Sequence, residues 1–383
     1  MVAEFKAAYR LDDLPGYPFA ELERKAAQFR AEEKALYDLS IGDPDLEPAD
    51  FIKDAIRESV NNPKSHYYPS SVGDLEVRKT IAKWYENRFG VEIDPTEQVC
   101  LVIGGKEGLS QMARAVVNPG DIVAVPDPAY PVYGRAGCQL LDAKLRTLKL
   151  NAENGFLPNL EEARGAKLVY LNYPNNPTGA VASDEFMKSA ADLADSDPSN
   201  TIVYDLAYSE MCFEYQVSSL LELTPNVIEF HSLSKIANAT GYRVGFAIGE
   251  PRRISALRRI KEEMDSGVPY PFQRALQATL EAYDGATPPK EILNSIRIYE
   301  RRRNKIIQAI ESYRADVFRT PATFYIWFKV GSDEMEFINL ALDKGLLLTP
   351  GRGFGEEGRG WVRASITASD EVVDHAIEII RSL

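Results

Sequence analysis

The stretch TIVYDLAYSEMCFEYQVSSLLELTPNVIEFHSLSKIANATGYRVGFAIG, residues 201–249, holds three short apolar runs, and the first two end on a polar residue with further polar chemistry just beyond. An apolar run too short for a helix and bounded by turn formers reads as a strand buried on both faces. The same pattern recurs outward from it, at VCLVIG (99–104), IVAVPD (122–127), LLDAKLRTL (140–148) and LVYLN (168–172). With TIVYD (201–205), VIEFHS (227–232) and VGFAIG (244–249), these make seven strands separated by helix-like or loop segments. That alternation implies an α/β fold built on a mainly parallel sheet covered on both faces. Three runs end on polar clusters: Asn172 with NNPTG, Asp205, and Ser232 with Lys235. Ligands of open α/β sheets collect at the carboxyl ends of strands, so the three clusters are expected to converge on one pocket.

Past Gly249 the pattern changes. RRISALRRIKEEM and the charged stretch from Glu291 to Tyr313 read as amphipathic helices, followed by a strand at FYIWFKV (324–330), a helix at EFINLALDKG and a strand at WVRASIT. This tail is expected to form a smaller α/β domain with the first forty residues. The boundaries are then 41–281 for the large domain, and 1–40 plus 282–383 for the small one. The run Arg301–Arg303 reads as a solvated helix face.

With 383 residues, 45% of them hydrophobic, the chain can bury a large core. A net charge of -13 with no basic stripe argues against a nucleic-acid partner. The N-terminus MVAEFKAAYRLDD has no signal-peptide core and no stretch approaches a membrane span, which points to a cytoplasmic protein without a membrane partner. Cys100, Cys138 and Cys212 lack metal-ligand spacing and sit in or beside apolar runs, as buried reduced thiols do. His66 and His231 have no partner at ligand spacing, and His375 is expected on a helix surface, so no metal is expected.

The chemistry begins at SLSKIANATGYR. Lys235 follows an apolar strand among small and hydroxyl residues; such a lysine either caps the strand end or serves covalent chemistry through a neutral amine. Ser232 and Ser234 supply hydroxyls, and Arg243 supplies a planar fork suited to a phosphate dianion. In IGGKEG, the amides of Gly105, Lys106 and Glu107 stand where a helix N-terminus would face an anion, though most glycine turns are mere connections. Asp205 is either an N-cap or the partner of a buried cation, with Tyr208 three residues on. Asn176 offers an amide donor to a phenolate, and Tyr130 a ring that either stacks on an aromatic cofactor or packs.

Taken in order, GGKEG, DPAYPVY, NYPNNPTG, YDLAYSE, SLSK with Arg243, and WVRAS resemble the fold-type I, class I/II aminotransferases along essentially the whole chain. Within them LPGYPFAELER, IGDPDLEP, HYYPSSVG and TPGRGFGEEGRGWVR are similar to the LL-diaminopimelate aminotransferase-like group. The resemblance implies a pyridoxal 5′-phosphate (PLP) enzyme moving an amino group from an L-amino acid to a 2-oxo acid through pyridoxamine phosphate. It implies that Lys235 forms the internal aldimine and moves the proton, that Asp205 pairs with the pyridine nitrogen, and that Tyr208 and Asn176 bind the phenolic oxygen. Tyr130 would stack on the ring. The phosphate would be held by the amides of Gly105, Lys106 and Glu107, by the Ser232, Ser234 and Arg243 side chains, and by Tyr68 reaching across from a second subunit of a homodimer. Arg363 would grip the substrate α-carboxylate with the Gly42 amide and Asn176 beside it.

The sequence departs from the family pattern in places. Gly105 stands where serine is usual, Tyr242 where tryptophan is common, and Arg352 where asparagine is common, while Pro269–Pro271 adds residues before a helix. By analogy the last two lie near the substrate's side-chain end, and Arg352 either meets an acidic side chain or faces solvent. The alternative activity on this scaffold is another PLP reaction: a lyase, a cyclising synthase or an amino acid oxidase.

Overall fold

The computed structural model describes residues 5–12, 14, 20–313, 315–319, 321–331 and 333–383; Pro15–Phe19 of the LPGYPFAELER motif lie outside the described residues. The strands are β1 Tyr37–Asp38, β2 Val99–Val102, β3 Ile122–Asp127, β4 Lys144–Lys149, β5 Leu168–Asn172, β6 Thr201–Asp205, β7 Val227–Ser232, β8 Gly245–Gly249, β9 Asp316–Phe318, β10 Tyr325–Lys329, β11 Leu346–Leu347, β12 Thr349–Pro350 and β13 Trp361–Ser365.

The seven expected strands form one sheet in the order β2-β8-β7-β6-β5-β3-β4, parallel except for β8, which runs antiparallel to both of its neighbours. Successive side chains of a strand point to opposite faces, and here both faces are apolar. Val99, Leu101, Val169 and Leu171 join one core with Trp84, Tyr204 and Phe246. Cys100, Val102, Leu168 and Tyr170 join another with Leu109, Met112 and Leu257. Each such aliphatic side chain contributes roughly 1.5–3 kcal/mol on burial, so the sheet is a stiff platform for whatever its strand ends carry. Gly108 lets the helix Gly105–Val116 settle close to β2 and β7, because a Cβ there would meet Val102 and Phe230 at 2.8 Å.

A second sheet, in the order β12-β13-β10-β9, packs Phe324, Ile326, Phe328, Val362 and Ala364 against the helices Lys290–Ser312 and Asp370–Ser382. The N-terminal segment reaches this region directly: β1 pairs in parallel with β11, Tyr37 beside Leu346. No described helix is long and apolar enough to cross a membrane.

Some expected limits move. The strand expected over 140–148 starts at Lys144, because Gln139–Leu141 form a tight turn that closes on Asp142 in the left-handed region. The first strand stops at Val102, two residues before Gly104, whose φ of 76° turns the chain into the helix. The arginine run is corrected more substantially. Consecutive helical positions point about 100° apart, so three arginines cannot share one solvated face. Arg301 is exposed, but Arg302 is buried in a two-pronged bond to Asp45 (2.7 and 3.1 Å) with Asp370 at 2.8 Å, and Arg303 lies over the Phe213 ring. His375 is half-buried, stacked on Tyr37 at 4.6 Å, rather than simply on the surface.

Candidate active site

The carboxyl ends of β5, β6 and β7 do come together. Asn172 and Asp205 are register partners, and the Asn172 amide donates to the Asp205 carbonyl at 2.9 Å and to that of Pro174 at 3.2 Å. Asp205 is buried. Its Oδ2 accepts from the Tyr133 hydroxyl at 2.7 Å and its Oδ1 from the Ala207 amide at 3.0 Å; no ion pair reaches it among the described residues. Burial pushes its carboxyl above the usual range, against those two donors.

Lys235 lies in the single helical turn Leu233–Ile236 that follows β7, capped by Ser232. Its Nζ donates to the Gly42 carbonyl at 2.7 Å and lies 5.3 Å from the centre of the Phe324 ring. The amine is pushed down to about 8, chiefly by burial; Asp43 opposes the shift, and Arg363 and Arg243 favour it. A lysine in this state is partly neutral at physiological pH, as a nucleophile or proton carrier needs to be.

Arg243 holds a left-handed conformation (φ 51°), uncommon for a residue with a Cβ, and it aims back toward the Gly104–Gly105 turn. A Cβ on Gly104 would fall on the Arg243 guanidinium, whereas one on Gly105 would meet nothing within 4 Å. The guanidinium donates to the Thr240 carbonyl at 2.7 Å and to the Ser234 hydroxyl at 3.4 Å, and pairs with no carboxylate among the described residues. Glu107 bends back to accept the Ile103 amide at 2.8 Å and binds buried Lys261, while Lys106 is exposed. Tyr130 is half-buried, edge-on to Tyr133 at 5.8 Å, with its hydroxyl pushed up to about 12 by burial.

Opposite this floor sits Arg363, on β13. Its Nη1 donates to Asn176 Oδ1 at 2.9 Å and its Nη2 to the Ser40 carbonyl at 2.7 Å; its Nε, also buried, has no partner among the described residues. The guanidinium lies over the rings of Tyr325 (4.2 Å) and Phe354 (4.7 Å). The Tyr208 and Tyr325 hydroxyls share a 3.0 Å hydrogen bond.

Lys235 contacts Gly42 and Arg363 contacts Asn176; Tyr325 ties these pairs to Tyr208, lying against Gly42, under Arg363 and bonded to the Tyr208 hydroxyl, and Arg243 joins Ser234 to the Gly104–Gly105 turn. One expected residue stands apart, and another is already paired. Tyr68 is 88% exposed, on a loop outside this cluster. Arg352 is not a free cation: its Nε bonds fully buried Glu334 at 2.6 Å and its Nη2 bonds Asp333 at 2.6 Å. Its fork ties the 351–360 loop to the start of the helix Glu334–Asp343, and the residue borders the same cavity as Tyr130 and Phe354. The sequence reading missed Tyr133, Tyr325 and Phe354. Tyr133 had a signal, since it stands three residues after Tyr130, one helical turn away. The other two are brought in by long-range packing.

Three features fit a pyridoxal 5′-phosphate. A buried carboxylate without a cation partner, Asp205, matches a protonated ring nitrogen. A guanidinium without a carboxylate, facing the open side of a helix start at Gly105, matches a phosphate. A half-buried amine of lowered basicity, Lys235, in the field of Arg243, matches an aldehyde.

Comparison with known proteins follows the same direction. A family model described as "Aminotransferase class I and II" matches residues 34–380. The LL-diaminopimelate aminotransferase of Aquifex aeolicus is 40% identical over 392 residues, covering 99% of each chain. That of Dehalococcoides mccartyi is 38% identical over 384 residues, covering 97% of each. Among solved structures, substrate-bound BacF from Bacillus subtilis superposes with a TM-score of 0.91 at 30% identity, over 99% of this chain and 98% of that one. A probable N-succinyldiaminopimelate aminotransferase from Thermus thermophilus gives 0.88 at 31% identity, over 95% and 99%.

Proposed function

The chain belongs to the class I and II aminotransferases, and from that premise we propose that it transfers the amino group with pyridoxal 5′-phosphate carried on Lys235. The observation that carries this reading is the state of Lys235: a half-buried amine at the carboxyl end of β7, lowered to about 8 and held by the Gly42 carbonyl.

The cofactor, when bound, supplies an aldehyde that joins to amines and a ring that takes up the charge left when the substrate loses its α-proton. The protein residues do the rest. Lys235 Nζ would hold the aldehyde, yield it to the incoming amino acid, and then carry the proton from the substrate α-carbon as base and return it as acid. Asp205, kept in place by Tyr133 and Ala207, would hold the ring nitrogen protonated. Tyr208 and Asn176 would face the phenolic oxygen, and Tyr130 the ring. Ser232, Ser234, Arg243 and the amides of Gly105, Lys106 and Glu107 would hold the phosphate. Arg363 would grip the substrate α-carboxylate, placing the α-carbon for Lys235 and fixing the near-attack geometry. A 2-oxo acid then accepts the amino group by the same steps reversed.

The reading includes a homodimer, with Tyr68 reaching a partner's site; its support is the pair Tyr67 and Tyr68, 75% and 88% exposed on one loop. It also keeps the division into residues 41–281 and 1–40 plus 282–383, supported by the pairing of β1 with β11. LL-diaminopimelate, the substrate in the relatives' names, is the first amino donor to test. PLP-loaded protein mixed with single amino acids should lose its visible absorption with at least one of them, as the cofactor takes the amino group. A panel including LL-diaminopimelate, glutamate, aspartate and aromatic amino acids that leaves the spectrum unchanged would overturn amino transfer as its reaction.

A further inference from the structure

Tyr325 lies where the two halves of the site meet. On β10 it stands two residues from Trp327, the register partner of Arg363, so Tyr325 and Arg363 share a face of the second sheet. Three contacts converge on this one buried side chain. The Arg363 guanidinium lies over its ring at 4.2 Å, its hydroxyl shares the 3.0 Å bond with Tyr208, and a Cβ on Gly42 would overlap that hydroxyl. Gly42 is also the residue whose carbonyl accepts from Lys235.

The backbone is arranged to keep it there. Thr323 adopts a left-handed conformation (φ 66°), a strained choice for a β-branched residue. In that conformation its amide donates to the Met211 carbonyl at 2.7 Å, and its hydroxyl accepts the Tyr325 amide at 3.2 Å. Two residues earlier, the Phe213 amide donates to the Pro321 carbonyl at 2.7 Å. The segment carrying Tyr208 and the strand carrying Tyr325 are therefore stapled together by two backbone bonds on one side of the tyrosine pair, just after Tyr208 and just before Tyr325.

We propose that Tyr325 is a positioning residue whose ring is the platform for Arg363 and whose hydroxyl orients that of Tyr208, so that the carboxylate grip and the group facing the cofactor's phenolic oxygen are set as one unit. This rests on the function proposed above. The ring acts through the face of its π-system, which attracts a desolvated guanidinium. The hydroxyl acts by hydrogen-bond cooperativity: with Tyr325 as donor of the shared bond, Tyr208 donates more strongly because its own oxygen accepts one. A stronger donor at the phenolic oxygen favours its charged form, which lets the proton shared between bound cofactor and Lys235 leave at lower pH.

Two substitutions separate these roles in the full-length, PLP-loaded protein. Tyr325→Phe keeps the ring and removes the hydroxyl. The pH midpoint of the cofactor's visible absorption should rise by about half to one unit, the size of one hydrogen bond, with a smaller rise than in Tyr208→Phe. Half-saturation by the amino acid most active with wild type should change by less than about 3-fold, because the platform remains. Tyr325→Leu should show the same midpoint rise and a half-saturating concentration about 10-fold higher. A Tyr325→Phe midpoint equal to wild type, or a Tyr325→Leu half-saturation equal to wild type, would overturn the coupling and leave Tyr325 a packing residue. Failure of the underlying function looks different: wild type itself would then show no visible absorption with PLP, and the inference would fall with it.

Discussion

The floor and the roof of the site are built in opposite ways. On the floor, Asp205, Tyr208, Ser232, Ser234, Lys235 and Arg243 come from two short segments, each just past a strand of the large sheet. Local geometry aims them: a side-chain turn onto Ala207, a serine cap, a left-handed Arg243. The roof gathers Ser40, Gly42, Asn176, Tyr325, Phe354 and Arg363 from five separate parts of the chain, and ring faces and carbonyls hold its arginine. On the floor, burial shifts both Asp205 and Lys235 toward their neutral forms. The roof carries a charge whose direction is set by neighbours. Changes on the floor should therefore act on the chemical step and on the cofactor, and changes on the roof on substrate capture.

The largest effect is expected on the floor. Lys235→Ala should abolish the visible absorption of PLP-treated protein and lower turnover by at least about 10³-fold, since the proposed general base and covalent tether would be lost together. A spectrum like wild type would move the tether elsewhere. Next, Asp205→Asn, which keeps an acceptor for the Tyr133 hydroxyl, should lower kcat by roughly 10²–10³-fold, the usual cost of removing a fixed charge aimed at a developing one. Equal effects on kcat and KM there would blur the floor–roof distinction. On the roof, Arg363→Lys loses the planar fork and its ring contacts; KM for the amino acid should rise roughly 10–100-fold with kcat less affected. A fall in kcat with unchanged KM would break the comparison.

The smallest effect concerns pH. With the Lys235 amine at about 8, the neutral fraction at pH 7 is about a tenth, against less than about a thousandth at the ordinary value. Capture of PLP by the apo-protein should therefore speed up through pH about 8 and level off above it. The sign for stability agrees. Between about 8 and the ordinary 10.5 the unfolded chain binds a proton that the folded one does not, so this group's contribution to folded stability rises with pH across that window. A capture rate still climbing steeply at pH 10 would mean that Lys235 is not desolvated.

The same contrast explains what could be read from the sequence. The sheet was legible because burial on both faces leaves continuous apolar runs; five strands agree to within a residue at each end, and the others shift only at tight turns. The floor was legible because its residues are neighbours in the chain as well as in space. Tyr325 and Phe354 were not, since only the closing of the second sheet over Arg363 gives them a role, and the sequence there reads as ordinary β-strand and glycine loop. Arg302 was misread for a related reason. Composition marks a run of arginines as solvated, and only tertiary structure brings Asp45, 257 positions away, to the helix face where Arg302 points.

The most direct test of the account is to trap the cofactor where it is bound. PLP-loaded protein reduced with borohydride, digested and mapped should carry the pyridoxyl group on the peptide containing Lys235. A label on any other lysine, or no label on a protein that has taken up the cofactor, would contradict the central assignment.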